Sequence, residues 1–326
     1  MLKKISCTAA AFFVFLCMQF ICFADDGFED AETNVPPQIL FLGDSIASGY
    51  GLEGYDSGRE NCRSYANILA DKYSRELPSE CGFSMSNLAV DGQTSGELAK
   101  DMLSGKYDDD VKEADCVVIS IGGNDMLGIM LETLASARAG NDSSQSIDLK
   151  ALVQGFSDMS KRIDRSLESF DTNLGETAAY IKSISSAEVI VQTLYDPFES
   201  FDLIPAVKEL AAEKISRLNE IIVSHSSDND GGYTVCDVAG AFSGKAKELT
   251  RISQLDIHPN ASGHETIADC LDQSVRSHKY CYKRAVEASA QTGSEKASAA
   301  AGAVIVTAAV FLALAIRMVI VRKRRR

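Results

Sequence analysis

From Gln38 onward, short apolar runs alternate with longer stretches in which apolar residues recur at helical spacing. The runs Gln38–Leu42, Ser84–Val90, Cys116–Ile121, Val189–Leu194 and Tyr233–Val238 have strand length and are bounded by turn residues. Ser64–Tyr73, Ser95–Leu103, Met159–Ile184 and Pro205–Ser224 lie between them and read as helices, and Ala261–Val275 follows the last strand. The period is clearest after Pro205, where Val207, Leu210, Ala211, Ile215, Leu218, Ile221 and Ile222 recur at three and four residues. Lys208, Glu209, Glu213, Lys214 and Arg217 fill the opposite face, so this stripe is a core face without a catalytic role. Strands separated by helices predict βαβ units, and hence a three-layer α/β/α sandwich around a mostly parallel five-stranded sheet. The predicted domain spans residues 38–284, after an acidic linker at 25–37 that ends Val35-Pro36-Pro37. Residues 127–158 lack a clear period, with Ala139–Ser144 as a loop, and are expected to be an irregular insertion. Such an insertion shapes a substrate pocket or is plain elaboration.

The two ends differ from this middle. Residues 1–24 carry Lys3 and Lys4, then an apolar run to Phe23-Ala24, which reads as a secretory signal or an uncleaved anchor. Residues 285–296 are small and polar, a stalk. Ala297–Ile316 holds no charge, and the apolar character resumes after Arg317, giving a transmembrane helix over 297–321. The basic tail Arg322–Arg326 then belongs on the cytoplasmic side, with Arg317 snorkelling to an interface. The expected location is therefore single-pass in a membrane, with the main domain extracellular. The whole chain has a formal charge of −14, but the ends hold two and six basic residues and no acid, so the middle carries −22. That field argues against a nucleic-acid partner.

Outside the signal segment lie Cys62, Cys81, Cys116, Cys236, Cys270 and Cys281. In an oxidising compartment, local pairing favours Cys62 with Cys81 and Cys270 with Cys281. Cys116 and Cys236 sit in apolar runs and read as buried free thiols. No spacing resembles a metal site, and no cofactor is expected.

Each candidate chemical group follows a strand, where parallel sheets gather ligands. Ser45 stands in Gly43-Asp44-Ser45 after the first strand; an Asp-Ser pair is also what a helix cap requires. Its surroundings do not fit the G-x-S-x-G elbow, because Ala47 replaces the second glycine. Gly92 follows Ala89-Val90-Asp91, where a glycine permits positive φ or close backbone approach. Asn124 follows Gly122-Gly123, with an amide able to donate to an oxyanion or to cap a helix. His258 precedes Pro259, which biases it to an extended conformation, and Asn260 is the natural cap of the next helix. His225, His264 and His278 read as surface or packing residues.

Gly-Asp-Ser, the isolated Gly92, Gly-Gly-Asn-Asp and His-Pro-Asn occur in the order of the SGNH, or GDSL-type, serine esterases and lipases, and the chain resembles that family from Gln38 to Val275. The resemblance implies Ser45 as nucleophile, His258 as general base, and an oxyanion hole from the Ser45 and Gly92 backbone N–H groups and the Asn124 amide. In that family the acid commonly stands three residues before the histidine. Here that position is Leu255, and the carboxylate is Asp256, two before. A local bend brings Asp256 to the imidazole, or else a backbone carbonyl orients the ring. The expectation is a membrane-tethered serine esterase acting through an acyl-enzyme on small-molecule, lipid or glycan esters, lysophospholipase-like or short-chain. A carbohydrate O-acetyl esterase and a non-catalytic surface binding module are the alternatives.

Overall fold

The computed structural model describes residues 28–126, 128–130, 149–200, 202, 205–226, 232–254 and 256–285. In chain order these form β1 (Phe28–Thr33), β2 (Gln38–Gly43), α1 (Ser45–Ser48), α2 (Tyr65–Glu76), β3 (Ser84–Asn87), α3 (Ser95–Leu103), α4 (Asp108–Glu113) and β4 (Cys116–Ser120). There follow α5 (Leu149–Ile184), β5 (Glu188–Gln192), α6 (Pro205–Ser226), β6 (Thr234–Cys236), α7 (Val238–Phe242), α8 (Ala246–Leu249), α9 (Ala261–Arg276) and β7 (Tyr280–Ala285). A five-stranded sheet has the order β3-β2-β4-β5-β6, and every neighbouring pair is parallel. This is the expected sheet.

The central strand β4 is buried at every residue, as a parallel strand covered on both faces must be. Helices α3, α5 and α6 contact one another in series, and α2, α7 and α8 gather around α9, so the helices supply the two outer layers. Ser64 caps α2 by accepting the Asn67 N–H, and Tyr65, Ala66, Leu69 and Tyr73 turn one face of that helix inward. Asn260 does the same for α9 through the Gly263 N–H, with Ile267, Leu271 and Val275 on the buried side.

Chain order and strand order diverge around β2. From it the chain crosses to β3 on one side and then returns to β4 on the other, which puts the topological switch between β2 and β4. At that point the two backbones almost touch. Gly43 has φ +135°, and a Cβ on it would stand 1.9 Å from the Ser120 carbonyl oxygen. The Asp44 N–H donates to that same oxygen at 3.1 Å.

Four expectations need correcting. The linker contains β1, which pairs with β7; Arg284 and Lys283 form ion pairs with Glu29 and Asp30. Charge rather than apolar alternation marks that strand, so a hydrophobicity pattern passes over it. The insertion enters helix at Leu149, because Leu149, Leu152, Phe156, Met159 and Ile163 already keep a spacing of three and four through Gly155. Residues 131–148 lie outside the described residues. The third strand ends at Asn87 rather than Val90, although the Leu88 and Val90 N–H groups still bond along β2.

The cysteine pairings also differ. All six thiols in the described residues are free. Cys62 turns to the Arg59 carbonyl, to which its thiol donates at 3.1 Å, and not to Cys81. Cys270, on α9, turns not to Cys281 but to Cys236, which is therefore not an isolated thiol.

By contacts the chain divides into two compact units. Glu32–Tyr282 holds the parallel sheet, and the other unit includes the described ends of β1 and β7. No helix among the described residues is long and apolar enough to cross a membrane; the signal and transmembrane segments lie outside those residues.

Gly43→Ala is expected to lower stability by about 2–4 kcal/mol, since both the φ angle and the Ser120 carbonyl oppose a side chain. Urea unfolding of the two chains measures it, and coincident midpoints would remove the strand pinch as a structural constraint.

Candidate active site

The residues that follow β2, β4 and β6 come together at the carboxyl edge of the sheet. A cavity of about 350 Å³ is lined by Asp44, Ser45, Ile46, Tyr50, Gly123, Asn124, Tyr195, Asp256, Ile257 and His258. Ser45 opens α1, and the Asp44 side chain, not that of Ser45, caps this helix by accepting the Ile46 N–H at 3.0 Å. The Ser45 hydroxyl is left to face His258, with Oγ 2.9 Å from Nε2. His258 Nδ1 lies 2.5 Å from Asp256 Oδ1. The three side chains form one continuous hydrogen-bonded line.

The position of Asp256 is accommodated by a bend of its own making. Its Oδ1 also accepts the His258 backbone N–H at 3.0 Å, an Asx-type closure across two residues. One oxygen thus turns the chain and meets the ring. The other, Oδ2, takes the Arg251 guanidinium at 2.8 Å. Arg251 also donates to the carbonyls of Tyr50, at 3.2 Å, and Gly51. Beyond these bonds, Arg251 N–H donates to the His258 carbonyl, Tyr195 OH donates to the Ile257 carbonyl at 2.8 Å, and Thr250 bridges Pro259. Burial pushes the Asp256 carboxyl up, but the two His258 hydrogen bonds, with the charges of His258 and Arg251, hold it below the usual carboxylate range.

Asn124 lies in the first turn of the helical residues 123–126, with Nδ2 donating to the Gln93 carbonyl at 3.0 Å. An amide nitrogen carries two donors, so this bond fixes the side chain while sparing one hydrogen. Gly92 is the third residue of a turn closed by the Gln93 N–H on the Val90 carbonyl. Its φ is +80°, the left-handed value that such a turn demands and glycine supplies. It lines a second cavity of about 320 Å³ with Val90, Asp91, Gln93, Glu97 and Lys100. The first cavity thus holds Ser45, Asn124, Asp256 and His258, and Gly92 joins them through the Gln93 carbonyl that Asn124 grips.

Several residues of the site carried no sequence signal. Arg251 is one, since nothing in its spacing links it to an acid. Asp91 is another: it accepts from Ser48 Oγ at 2.5 Å and Tyr55 OH at 2.6 Å, tying the Gly92 turn to α1. Asp125 was visible only as part of a motif. It accepts both the N–H and the hydroxyl of Ser95, at 2.9 and 2.6 Å, and so joins the start of α3 to the end of β4. The tilted ring of Tyr50 stands 5.0 Å from that of His258. The other histidines lie in packing or ion-pair positions: His264 is fully buried, His225 meets Asp171, and His278 meets Thr234 and Glu188.

A nucleophile-type hydroxyl, an imidazole and a carboxylate aligned at the edge of a parallel sheet are the parts of a serine hydrolase. The chain belongs to the GDSL-like lipase/acylhydrolase family, whose model matches residues 41–266. It is similar to the uncharacterized protein YpmR of Bacillus subtilis (strain 168), at 24% identity over 257 residues, 75% of this chain and 84% of that protein. Among solved structures it resembles a phospholipase A1 from Streptomyces albidoflavus NA297, with a TM-score of 0.55 and 21% identity, over 73% of this chain and 98% of the other. It also resembles an extracellular lipase from Streptomyces rimosus, with a TM-score of 0.51 and 21% identity, over 73% and 99%. These likenesses are ones of fold.

Asp44 gives the site a pH-dependent cost. Burial, reinforced by the charge of Asp125, pushes its carboxyl up from 3.8 to about 7, against the lowering effect of the Ile46 N–H. Between these values the unfolded chain has released a proton that the folded chain retains, so Asp44's contribution to stability falls as pH rises from about 4 to about 7 and is level above. Asp44→Asn keeps the cap acceptor and cannot ionise. Its stability gain over the unsubstituted chain should grow across that window and then plateau, as read from urea midpoints at stepped pH. A gain independent of pH would show that Asp44 does not titrate there.

Proposed function

We propose that the protein is a carboxylic ester hydrolase that works through an acyl-enzyme, and that it favours short acyl groups. The observation that carries this reading is the unbroken line from Ser45 Oγ through His258 to Asp256, closed at its far end by Arg251. Ser45 attacks the ester carbonyl while His258 Nε2 takes the hydroxyl proton. The tetrahedral oxyanion is held by the Ser45 and Gly92 backbone N–H groups and the spared hydrogen of Asn124. His258 returns the proton to the leaving alcohol, and water then repeats the sequence to release the acid. Asp256 fixes the imidazole tautomer and offsets its charge during each transfer. Ester hydrolysis by this route calls on no metal or organic cofactor.

The cavity supports a short acyl group. At about 350 Å³ it lies at the small end of ligand sites, with apolar surface from Tyr50, Tyr195, Ile46 and Ile257 and polar groups from Asn124 and two carboxylates. The small volume and the rings of Tyr50 and Tyr195 favour, as a second reading, an O-acetylated sugar over a fatty-acyl lipid. Two flanking segments support placement on a membrane: the apolar span 297–321 before the basic tail, and the signal-like residues 1–24. On this reading the hydrolase faces outward.

Assayed with the full chain on acyl esters of increasing length, acetyl and butyryl esters should turn over faster than palmitoyl. Ser45→Ala should abolish both turnover and fluorophosphonate labelling, and Asp256→Asn should lower kcat by about 10⁴-fold. Equal activity in the Ser45 variant would refute the mechanism, and a palmitoyl optimum the acyl preference. For the tether, the chain should stay with membranes through carbonate washing, and protease added to intact cells should cut the catalytic domain. Release by carbonate would exclude a spanning helix.

A further inference from the structure

Cys236 and Cys270 meet at the interface of β6 and α9, and neither lines the cavity that holds Ser45 and His258. The Cys236 thiol, fully buried at the end of β6, donates to Cys270 Sγ at 3.0 Å. Cys270 is only half-buried on α9. We infer that this pair is a thiol-oxidation site, in which Cys270 reacts first with a small disulfide and Cys236 resolves the adduct to an internal Cys236–Cys270 crosslink.

The two sulfurs are unequal in the way this sequence of events requires. The hydrogen bond from Cys236 lowers the Cys270 thiol from its ordinary value, against the opposing effect of burial. The same contact, with burial, pushes Cys236 far up, so that it keeps its proton until its neighbour has reacted. Of the other described thiols, burial raises Cys116 to about 12 and also raises Cys81, Cys62 donates to the Arg59 carbonyl, and Cys281 is exposed on β7. Thiolate character and partial exposure are what select a reactive cysteine.

With a glutathione-type disulfide as oxidant, the Cys270 thiolate attacks one of its sulfurs, forming a Cys270–glutathione bond and expelling a glutathione thiolate. Cys236 then loses its proton to solvent and attacks the Cys270 sulfur, forming the internal disulfide and releasing the second glutathione thiolate. Two protein thiols are oxidised and one disulfide is reduced to two thiols. Forming the bond closes the gap between the two sulfurs from 3.0 Å to about 2.05 Å. The crosslink spans 34 residues of sequence, and Arg251, Asp256 and His258 all lie inside that loop.

The test is a peptide map of the full chain after incubation with oxidised glutathione. A Cys236–Cys270 linked peptide should appear, free of glutathione and reversed by dithiothreitol, at a rate independent of protein concentration. Cys236→Ser should stop at a stable Cys270–glutathione adduct, and Cys270→Ser should leave Cys236 unmodified over the same period. The crosslinked form should melt about 5–10 °C above the reduced one. Glutathione persisting on Cys270 of the unsubstituted chain, Cys236 joined to a different cysteine, or no reaction at either residue would each overturn the assignment. The map of the unsubstituted chain decides this even if a serine variant fails to fold, and whether or not the chain hydrolyses esters.

Discussion

The close approach of β2 and β4 at the switch of the sheet is the constraint from which the site is built. Gly43 lies against the Ser120 carbonyl, and Asp44 donates its N–H to that oxygen. One strand therefore delivers Ser45 and the other Gly122, Gly123 and Asn124 to the same spot. A side chain at Gly43 would push the strands apart there. The Asp44 carboxyl reinforces the geometry by capping α1, which gives Ser45 a fixed first-turn position and leaves its hydroxyl for His258. Asp125 extends the arrangement sideways by tying the end of β4 to Ser95, one residue past the Thr94 cap of α3 and three past Gly92.

The histidine reaches this edge on a segment with little regular structure of its own, so hydrogen bonds must supply the rigidity. Arg251 is their hub. It holds Asp256 through one guanidinium nitrogen, grips the Tyr50–Gly51 backbone, and receives the His258 carbonyl on its own N–H. The Asx closure makes a carboxylate two residues from the histidine serviceable, because Oδ1 needs no extended side-chain reach to meet Nδ1. Oδ2 is then turned away from the ring, and a cation must meet it. Arg251 satisfies that second demand.

The fold was legible because parallel strands buried on both faces leave continuous apolar runs, and because helix caps such as Ser64 and Asn260 are local chemistry. Ser45, Gly92, Asn124 and His258 were legible as motifs, and the first three sit in the segments that directly follow strands, whereas two short helices separate His258 from β6. What escaped notice depends on contacts distant in sequence. Arg251 and Asp91 act through partners that no spacing reveals, and β1 is held by opposite charges on β7. The cysteines show the same limit. Sequence proximity suggested Cys62 with Cys81, but Cys62 meets the Arg59 carbonyl instead, while the packing of α9 on β6 brings Cys236 and Cys270 together across 34 residues.

The cavity has two carboxylates, and their surroundings drive them in opposite directions. Asp256 is half-buried beside Arg251 and the His258 hydrogen bonds, which favour its charge. Asp44 is fully buried, with Asp125 as a second acid nearby, and its carboxyl titrates near 7. The separation matters for the chemistry proposed. A fixed anion beside Ser45 would oppose the oxyanion forming on the substrate, whereas the same charge beyond the imidazole stabilises the imidazolium. Burial suppresses charge at the first position and hydrogen bonding preserves it at the second. The cap on α1 needs only an acceptor oxygen, which a neutral carboxyl still provides. Asp44 can therefore hold Ser45 in place in either protonation state, with its charge held back until pH approaches 7.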